Sequence, residues 1–492
     1  MTRQTLPIAM TLAAYLAAAL AYAVITPTWQ AADEPAHYNY IRHLVIEGSL
    51  PVLQMGDFPS RYLDQLKAAG FPEGSDVSAI RYESHQPPLY YLLAAPVLTA
   101  FAGDPVPLQV RALRLFTVTN GVAALAMAYS LGLALWPRRQ GRAAALAATV
   151  AFIPMHTAMS AGINNDVLAE ALTASVTLLT LRALVHSPAP APKRLTILGI
   201  LLGLCLLTKT TAYIAVPLVL AGLLLHRRLH RPPWARVLRS GARVALPAAI
   251  LWLPWVARNL VTYGLRDPLG LTRHDAIAAS QLTTAELLAE FSPVRVLTEG
   301  TTLTFKSFWG VFGWMGVPMH EPVYLLLAVV SATAVLGLVI AGAPHLLRQL
   351  AGSGGGPGVR RRAHVILLAA WGSFSICGLL WYNMKFVQYQ GRYLYAALPV
   401  WSAAMVVGMV TARERPLAAC AGLGLLGAAL FALGWARGDV PGLLLALLAA
   451  AAAGLFVWRW ALRRWPAVSA LPLLALWALD LAGALYYVSR FL

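Results

Sequence analysis

Apolar stretches of 13 to 24 residues recur along the whole chain, most of them separated by short polar turns. They cover residues 7–25, 113–136, 143–161, 167–185, 195–207, 212–225, 245–257, 323–343, 365–382, 393–410, 417–435, 441–458 and 467–488. A helix needs about 20 apolar residues to cross a bilayer, and these stretches are far too long for barrel strands. The pattern predicts an all-α polytopic membrane protein with about thirteen transmembrane helices. Residues 7–25 end near Ala21-Tyr-Ala23, which resembles a signal-peptide cleavage site. The weak basic lead at Arg3 and the many later spans favour a retained helix.

Two long polar segments interrupt the pattern, at 26–112 and 258–321. In the first, Pro35 suits the opening turn of a helix, and Asp33 or Glu34 suits its N-terminus. The predicted helix runs from Pro35 to Glu47 and sets His37, Tyr38, Ile41, Arg42 and Val45 on neighbouring faces. The apolar run Pro87 to Phe101 has only fifteen residues. It reads as an interfacial or re-entrant helix, and that choice fixes the side on which every later turn lies.

Charge supports it. With the N-terminus inside, the clusters at Arg138, Arg139 and Arg142, at Arg227 to Arg243, at Arg348 to Arg362, at Arg413 and Arg415, and at Arg459 to Arg464 all fall in the cytoplasm. Nearly all the acids fall outside, with Glu414 the clear exception. This is the positive-inside pattern. The formal net charge of +18 is therefore topological, and no nucleic-acid partner is expected. The composition agrees: 59% hydrophobic and 12% charged, where soluble domains carry about 25% charged residues. Cys205, Cys377 and Cys420 lie in apolar segments without metal-ligand spacing and read as small buried residues. Gly352 to Gly358 reads as a flexible cytoplasmic linker. The chain has no recognisable soluble domain or repeat.

The same topology gathers candidate chemistry on the outer face. Asp33 and Glu34 stand side by side, as a general base, a metal site or a solvated helix cap. Glu83, His85 and Gln86 precede the short helix; Asn164, Asn165 and Asp166 lie at the mouth of a helix pair. Lys209, Arg258 and Arg392 sit at helix ends, and Arg266, Asp267, Lys306, Lys385 and Gln390 lie nearby. Any one of these bases can be an interfacial anchor, because long side chains snorkel. Both signs on one face suit a lipid phosphate and a hydroxyl or amine acceptor, with arginine able to hold phosphate bidentately. Glu34 and His37 have E-x-x-H spacing, so a divalent metal is an option, though no second such motif occurs. Asn164-Asn165-Asp166 also suits a helix cap. The run Phe308 to Trp314 is either an interfacial aromatic belt, favoured for Trp309, or a platform for a sugar or polyprenyl chain.

Together, Asp33-Glu34-Pro-Ala-His37, His85-Gln-Pro-Pro-Leu-Tyr-Tyr91, Asn164-Asn-Asp166, Lys209-Thr, Trp309-Gly-Val-Phe-Gly-Trp314 and Gln390-Gly-Arg-Tyr-Leu-Tyr395 resemble the GT-C superfamily of membrane glycosyltransferases. The resemblance is to the protein O-mannosyltransferase and lipid A aminoarabinose transferase branches, with related uncharacterised bacterial membrane proteins, and spans residues 1–410. It implies a polyprenyl-phosphate sugar donor, an extracytoplasmic site in the bacterial inner membrane, and transfer to a lipid, glycan or protein acceptor, usually with inversion. It makes Asp33 the base and Asp166 a second acid, with Glu34 orienting acceptor or metal. Lys209, Arg258 and Arg392 would hold the donor phosphate, with His85 standing where relatives often have a base. His37, Asn165, Gln390, Tyr393 and Trp314 would touch substrate. On this reading 1–410 is the catalytic module and 411–492 adds C-terminal helices, leaving acceptor recognition to the loops. The rivals are a lipid-linked polysaccharide polymerase or ligase, a transporter or flippase, and a membrane metalloprotease. A transporter predicts mid-span polar groups and an inverted repeat, and Asp480 is the one mid-span carboxylate apparent.

Overall fold

The computed structural model describes residues 6–350, 359–437, 439–464 and 469–492. The glycine-rich linker at Gly352 to Gly358 lies outside them.

The expected spans appear one for one. Among the described residues eleven helices are long and apolar enough to cross a membrane, and a bent pair brings the number to twelve. The thirteenth, α9 (Pro192–Leu206), has 15 residues and is the short span expected from the sequence. The first helix, α1 (Leu6–Ile25), leads to α2 (Glu34–Glu47), the predicted loop helix. The short segment forms α4 (Leu89–Ala100), twelve residues, after the amphipathic α3 (Ser60–Ala68). The next span, α5 (Val106–Leu135), starts several residues earlier than the hydropathy suggests, because Val106 to Ala112 continue the helix above the apolar stretch.

The span expected at 143–161 is broken. It forms α6 (Gln140–Ala151) and α7 (Pro154–Ser160), bent by 71°. Pro154 explains the break, since it lacks the N–H that would continue the ladder and opens α7 instead. The bend leads α7 to the turn before α8 (Asp166–Thr180), which continues to Val185. After α9 come α10 (Ala215–His230) and α11 (Trp234–Tyr263). The second loop carries α12 (Leu271–Ile277), α13 (Thr284–Glu290) and α14 (Pro293–Trp309). A two-stranded hairpin, β1 (Val311–Phe312) with β2 (Val317–Pro318), is the one sheet among the described residues. The chain closes with α15 (Glu321–Leu350), α16 (Val359–Asn383), α17 (Leu398–Glu414), α18 (Pro416–Arg437), α19 (Gly442–Arg464) and α20 (Leu471–Ala482), which runs on to Phe491.

Two kinds of packing hold this together. Between spans there is little hydrophobic drive, so close backbone approach decides. Where α15 crosses α17, a Cβ on Gly337 would stand 1.9 Å from the Gly408 carbonyl oxygen, so only glycine fits. The first loop, by contrast, builds its own core. Tyr40 stacks on Tyr91 with ring centroids 3.6 Å apart, and Trp29, Ile41, Leu63, Ile80 and Tyr90 are buried with them. That core clamps α2 and α3 onto α4, so the loop is a rigid cap.

The last span returns to the first. Trp477 Nε1 donates to the Ala14 carbonyl at 3.1 Å, and Tyr22 donates to the Asp480 carbonyl at 3.1 Å. Thr157 on α7 donates to the Asp480 carboxylate at 2.8 Å. Asp480, the mid-span carboxylate, is thus fully buried as a tie between α20 and the bend. Trp309, expected in an interfacial belt, is instead 2% exposed in the central core with Tyr22 and Phe312.

Candidate active site

Asp33 occupies the N-terminal position of α2 but does not cap it. Its backbone is left-handed, with φ 65°, a conformation aspartate and asparagine tolerate better than most residues. This turns the carboxylate away from the helix and toward two partners. Tyr82 donates to Oδ1 at 2.7 Å, and Arg392 Nη2 donates to Oδ2 at 2.6 Å. The helix-cap reading of Asp33 is therefore wrong. Burial by itself would raise this carboxyl. The Arg392 guanidinium, with His37 and the Tyr82 hydroxyl, outweighs it and holds Asp33 well below the usual carboxylate range.

Arg392 reaches Asp33 because of Gly391. A Cβ there would stand 2.3 Å from the Phe308 nitrogen, and the Gly391 N–H donates to Ser307 Oγ at 2.8 Å. The backbone lies flat on α14, which fixes where the next residue points. Arg392 also lies over the Tyr393 ring, 5.5 Å from its centre, and its Nε is buried without a partner.

A second ion pair sits beside the first. Lys209 Nζ lies 2.7 Å from Asp166 Oδ1. The asparagines before Asp166 make this possible. Asn164 accepts the Asp166 N–H at 3.1 Å, and Asn165 Nδ2 donates to the Thr208 carbonyl at 3.0 Å, gripping the chain just before Lys209. Asn165 is fully buried, and its bond is to the backbone ahead of Lys209. Asp166 lies within electrostatic reach of Arg392 and His37, so two acids and two bases form one cluster.

His37 is buried, and its Nδ1 shares a 2.9 Å hydrogen bond with the Tyr91 hydroxyl. Burial lowers its basicity, and Lys209 adds to that against the pull of nearby acids. His85 is also buried; its Nδ1 donates to the Tyr82 carbonyl at 3.0 Å and its ring packs on His274 at 4.4 Å. Burial and the His274 ring push it well below the ordinary histidine range, so it is neutral. As a cationic phosphate ligand His85 is therefore a poor candidate.

Four other sequence-based candidates lie elsewhere. Glu34 faces inward, and Arg114 holds both its oxygens at 2.7 Å. Trp29 N–H donates to Oε2 at 3.0 Å and Ile163 N–H to Oε1 at 3.4 Å, and the pair is buried. Glu34 is a structural anchor between α1, α2 and α5. Arg258 stacks on Trp255 and Tyr263 and donates to the Pro51 carbonyl at 2.5 Å, pinning the second loop's root to the first loop. Gln390 donates to Gln388 Oε1 at 2.9 Å and shapes the turn ahead of Arg392. Trp314 donates to the Trp29 carbonyl at 2.9 Å, stacks on Phe71 and is covered by Lys67, so it staples the hairpin to the first loop and is no open platform. Among the charges flagged near the second loop, Asp267 caps α12 through the Arg273 N–H at 2.8 Å, and Lys306 pairs with Glu321 at 2.6 Å.

The E-x-x-H metal reading does not fit. Glu34 is taken by Arg114, away from His37's partner Tyr91. Asp33 and Asp166 each already face a cation within 2.7 Å, where a divalent ion would be repelled. Among the described residues no group of three or more His, Cys, Asp or Glu is arranged to hold a metal.

Below the ion pairs a narrow cleft opens between α7, α8 and the segment leading into α17. Asp166, Arg392 and Tyr393 line its mouth. Deeper in it stand His156, Glu170 and Tyr395. The sequence reading missed His156 and Glu170, as it missed Arg114 and Tyr82. An acid four residues after Asp166, inside an apolar span, was the available signal for Glu170.

No characterised protein matches the chain by sequence. Solved structures do resemble it. The apo oligosaccharyltransferase of Archaeoglobus fulgidus aligns with a TM-score of 0.52 at 15% identity, over 97% of this chain and 56% of that one. ArnT from Cupriavidus metallidurans bound to undecaprenyl phosphate aligns at 0.49 and 14% identity, over 99% of this chain and 76% of that one. The chain therefore spans little more than half of the archaeal protein. At such identities the likeness speaks for architecture, and the architecture is the GT-C fold expected from the motifs. The profile of one family covers residues 72–401, from the first loop to the start of α17 and so most of the site, and this integral membrane protein belongs to that family, the predicted membrane proteins DUF2142.

Proposed function

We propose that the protein is a membrane glycosyltransferase that takes its sugar from a polyprenyl-phosphate donor at the extracytoplasmic face of the membrane. The observation that carries this reading is the Asp33–Arg392 pair at the cleft mouth. One partner is a base, and the other is a phosphate ligand with a buried, unpaired Nε donor still to satisfy. The GT-C architecture and the outer-face topology implied by the arginine-rich turns support it.

The reaction needs two things from the protein. An acceptor O–H or N–H must lose its proton as its oxygen or nitrogen attacks the anomeric carbon. The bond from that carbon to the phosphate oxygen must break, leaving the electron pair on the phosphate. Asp33 takes the proton. Arg392 and Lys209 stabilise the charge that grows on the departing polyprenyl phosphate. Asp166 holds Lys209 in place, and Tyr393 walls the cleft where the sugar ring passes.

With Arg392 engaged, Asp33 is a weak base. A donor phosphate competes for the guanidinium and so raises the carboxyl's proton affinity when the acceptor arrives. The two pH profiles should then differ. The free enzyme, reported by kcat/KM, keeps Asp33 ionised, so its acid limb lies below about pH 4, the ordinary carboxylate value. The loaded enzyme, reported by kcat, loses activity at a higher pH. Coincident acid limbs would remove this part of the mechanism.

The reading as a whole is tested by offering the purified protein a panel of polyprenyl-phosphate pentoses and hexoses in lipid. Release of polyprenyl phosphate from at least one donor is expected. A panel wholly inert, with or without membrane extract as acceptor, would count decisively against it.

A further inference from the structure

His156 and Glu170 are placed for a task that the transfer step does not use. His156 Nε2 on α7 shares a 2.9 Å hydrogen bond with Glu170 Oε2. They are 1% and 4% exposed, and both line the cleft below Asp166 and Arg392. Each keeps one polar atom without a partner, Nδ1 on His156 and Oε1 on Glu170. A buried carboxylate oxygen with nothing to accept from costs free energy comparable to a lost hydrogen bond. Glu170 lies four residues after Asp166 on the same helix, about 6 Å further along its axis. Tyr395 packs edge-on against the His156 ring at 5.4 Å, and Tyr393 stands nearer the mouth, so aromatic walls flank the space between.

We propose that the His156–Glu170 pair recognises ring hydroxyls of the donor sugar, reading its identity while the ion pairs above handle phosphate and proton. The pair offers two hydrogen-bonding atoms, at least one of which only accepts, which suits sugar hydroxyls. A phosphate oxygen is disfavoured there, because Glu170 Oε1 has no proton to offer it while Oε2 is bonded to His156. This rests on the glycosyltransferase reading and adds a specificity determinant to it. His156 and Glu170 are positioning residues, since neither touches the bond that breaks.

The test compares undecaprenyl-phosphate hexoses with analogues in which one hydroxyl is replaced by hydrogen. In the wild type, kcat/KM for at least one deoxy analogue should fall by roughly 10- to 100-fold, the scale of leaving a buried hydrogen-bonding group unsatisfied. In Glu170→Gln and His156→Asn that penalty should shrink by about tenfold, while the parent donor becomes poorer. Binding of undecaprenyl phosphate, which carries no sugar, should be unchanged in both variants. An unaltered deoxy penalty in both variants would overturn the inference and leave the transfer mechanism standing. Loss of undecaprenyl phosphate binding in both would overturn it too, by making the pair a structural tie. A wild type inert toward every sugar-linked lipid would remove the underlying reading, and this one with it.

Discussion

Asp33→Asn should leave a folded protein in the membrane and lower sugar transfer by about 10²- to 10⁴-fold, the usual contribution of a positioned general base. The substitution is unusually clean. Asparagine accepts the left-handed backbone that Asp33 adopts, with φ 65°. Its amide oxygen can still accept from Tyr82, now 2.7 Å from Oδ1. What disappears is the negative charge facing Arg392 and the capacity to take a proton. Loss of that charge also frees Arg392, so donor affinity should hold or improve while turnover collapses. Labelled donor lipid in isolated membranes separates the two quantities. Undiminished turnover would leave the cluster without its base.

Arg114→Ala should do the opposite: the protein fails to accumulate, and the little that does melts early. Arg114 is 1% exposed and Glu34 fully buried. Besides Glu34, the guanidinium donates to the carbonyls of Ala23, Thr26 and Pro27 at 3.2, 2.5 and 2.9 Å. It therefore closes the end of α1, the start of α2 and the side of α5 around one fork. Removing one member of a buried pair strands the other charge and costs about 3–5 kcal/mol, whereas replacing both by apolar groups is often neutral. Glu34→Leu together with Arg114→Met should thus recover much of the lost thermal stability in detergent. A well-folded Arg114→Ala protein lacking only transfer would move Glu34 back among the reacting groups.

These two predictions concern neighbours in sequence, and the contrast marks what could be read from the residues alone. The spans were legible because a bilayer imposes a length and arginines mark one side of it. The short α4 was legible for the same reason, as a segment that falls short. Asp33, Asp166, Lys209 and Arg392 were legible as charges sharing one face, and they do converge. Direction was not legible. Asp33 and Glu34 are adjacent, yet one left-handed residue sends their side chains to different partners, and no periodicity argument foresees that. Arg258 and Trp314 carried the right chemistry in the right region, and long-range packing against Pro51 and Phe71 gave them other work. His156 and Glu170 were hidden because each reads singly as an oddity in an apolar segment. Only the bend at Pro154 brings α7 against α8 and makes them a pair.

The tie between the last span and the first has a bearing on how the protein is made. Ribosomes deliver α1 to the bilayer many helices before α20, so the flank that Trp477 will cover stays open through nearly all of synthesis. Until then the Thr157 hydroxyl beside the bend lacks one of its partners, the Asp480 carboxylate. The wall of the cleft that carries His156 therefore gains this support only once α20 has joined α1 and the bend.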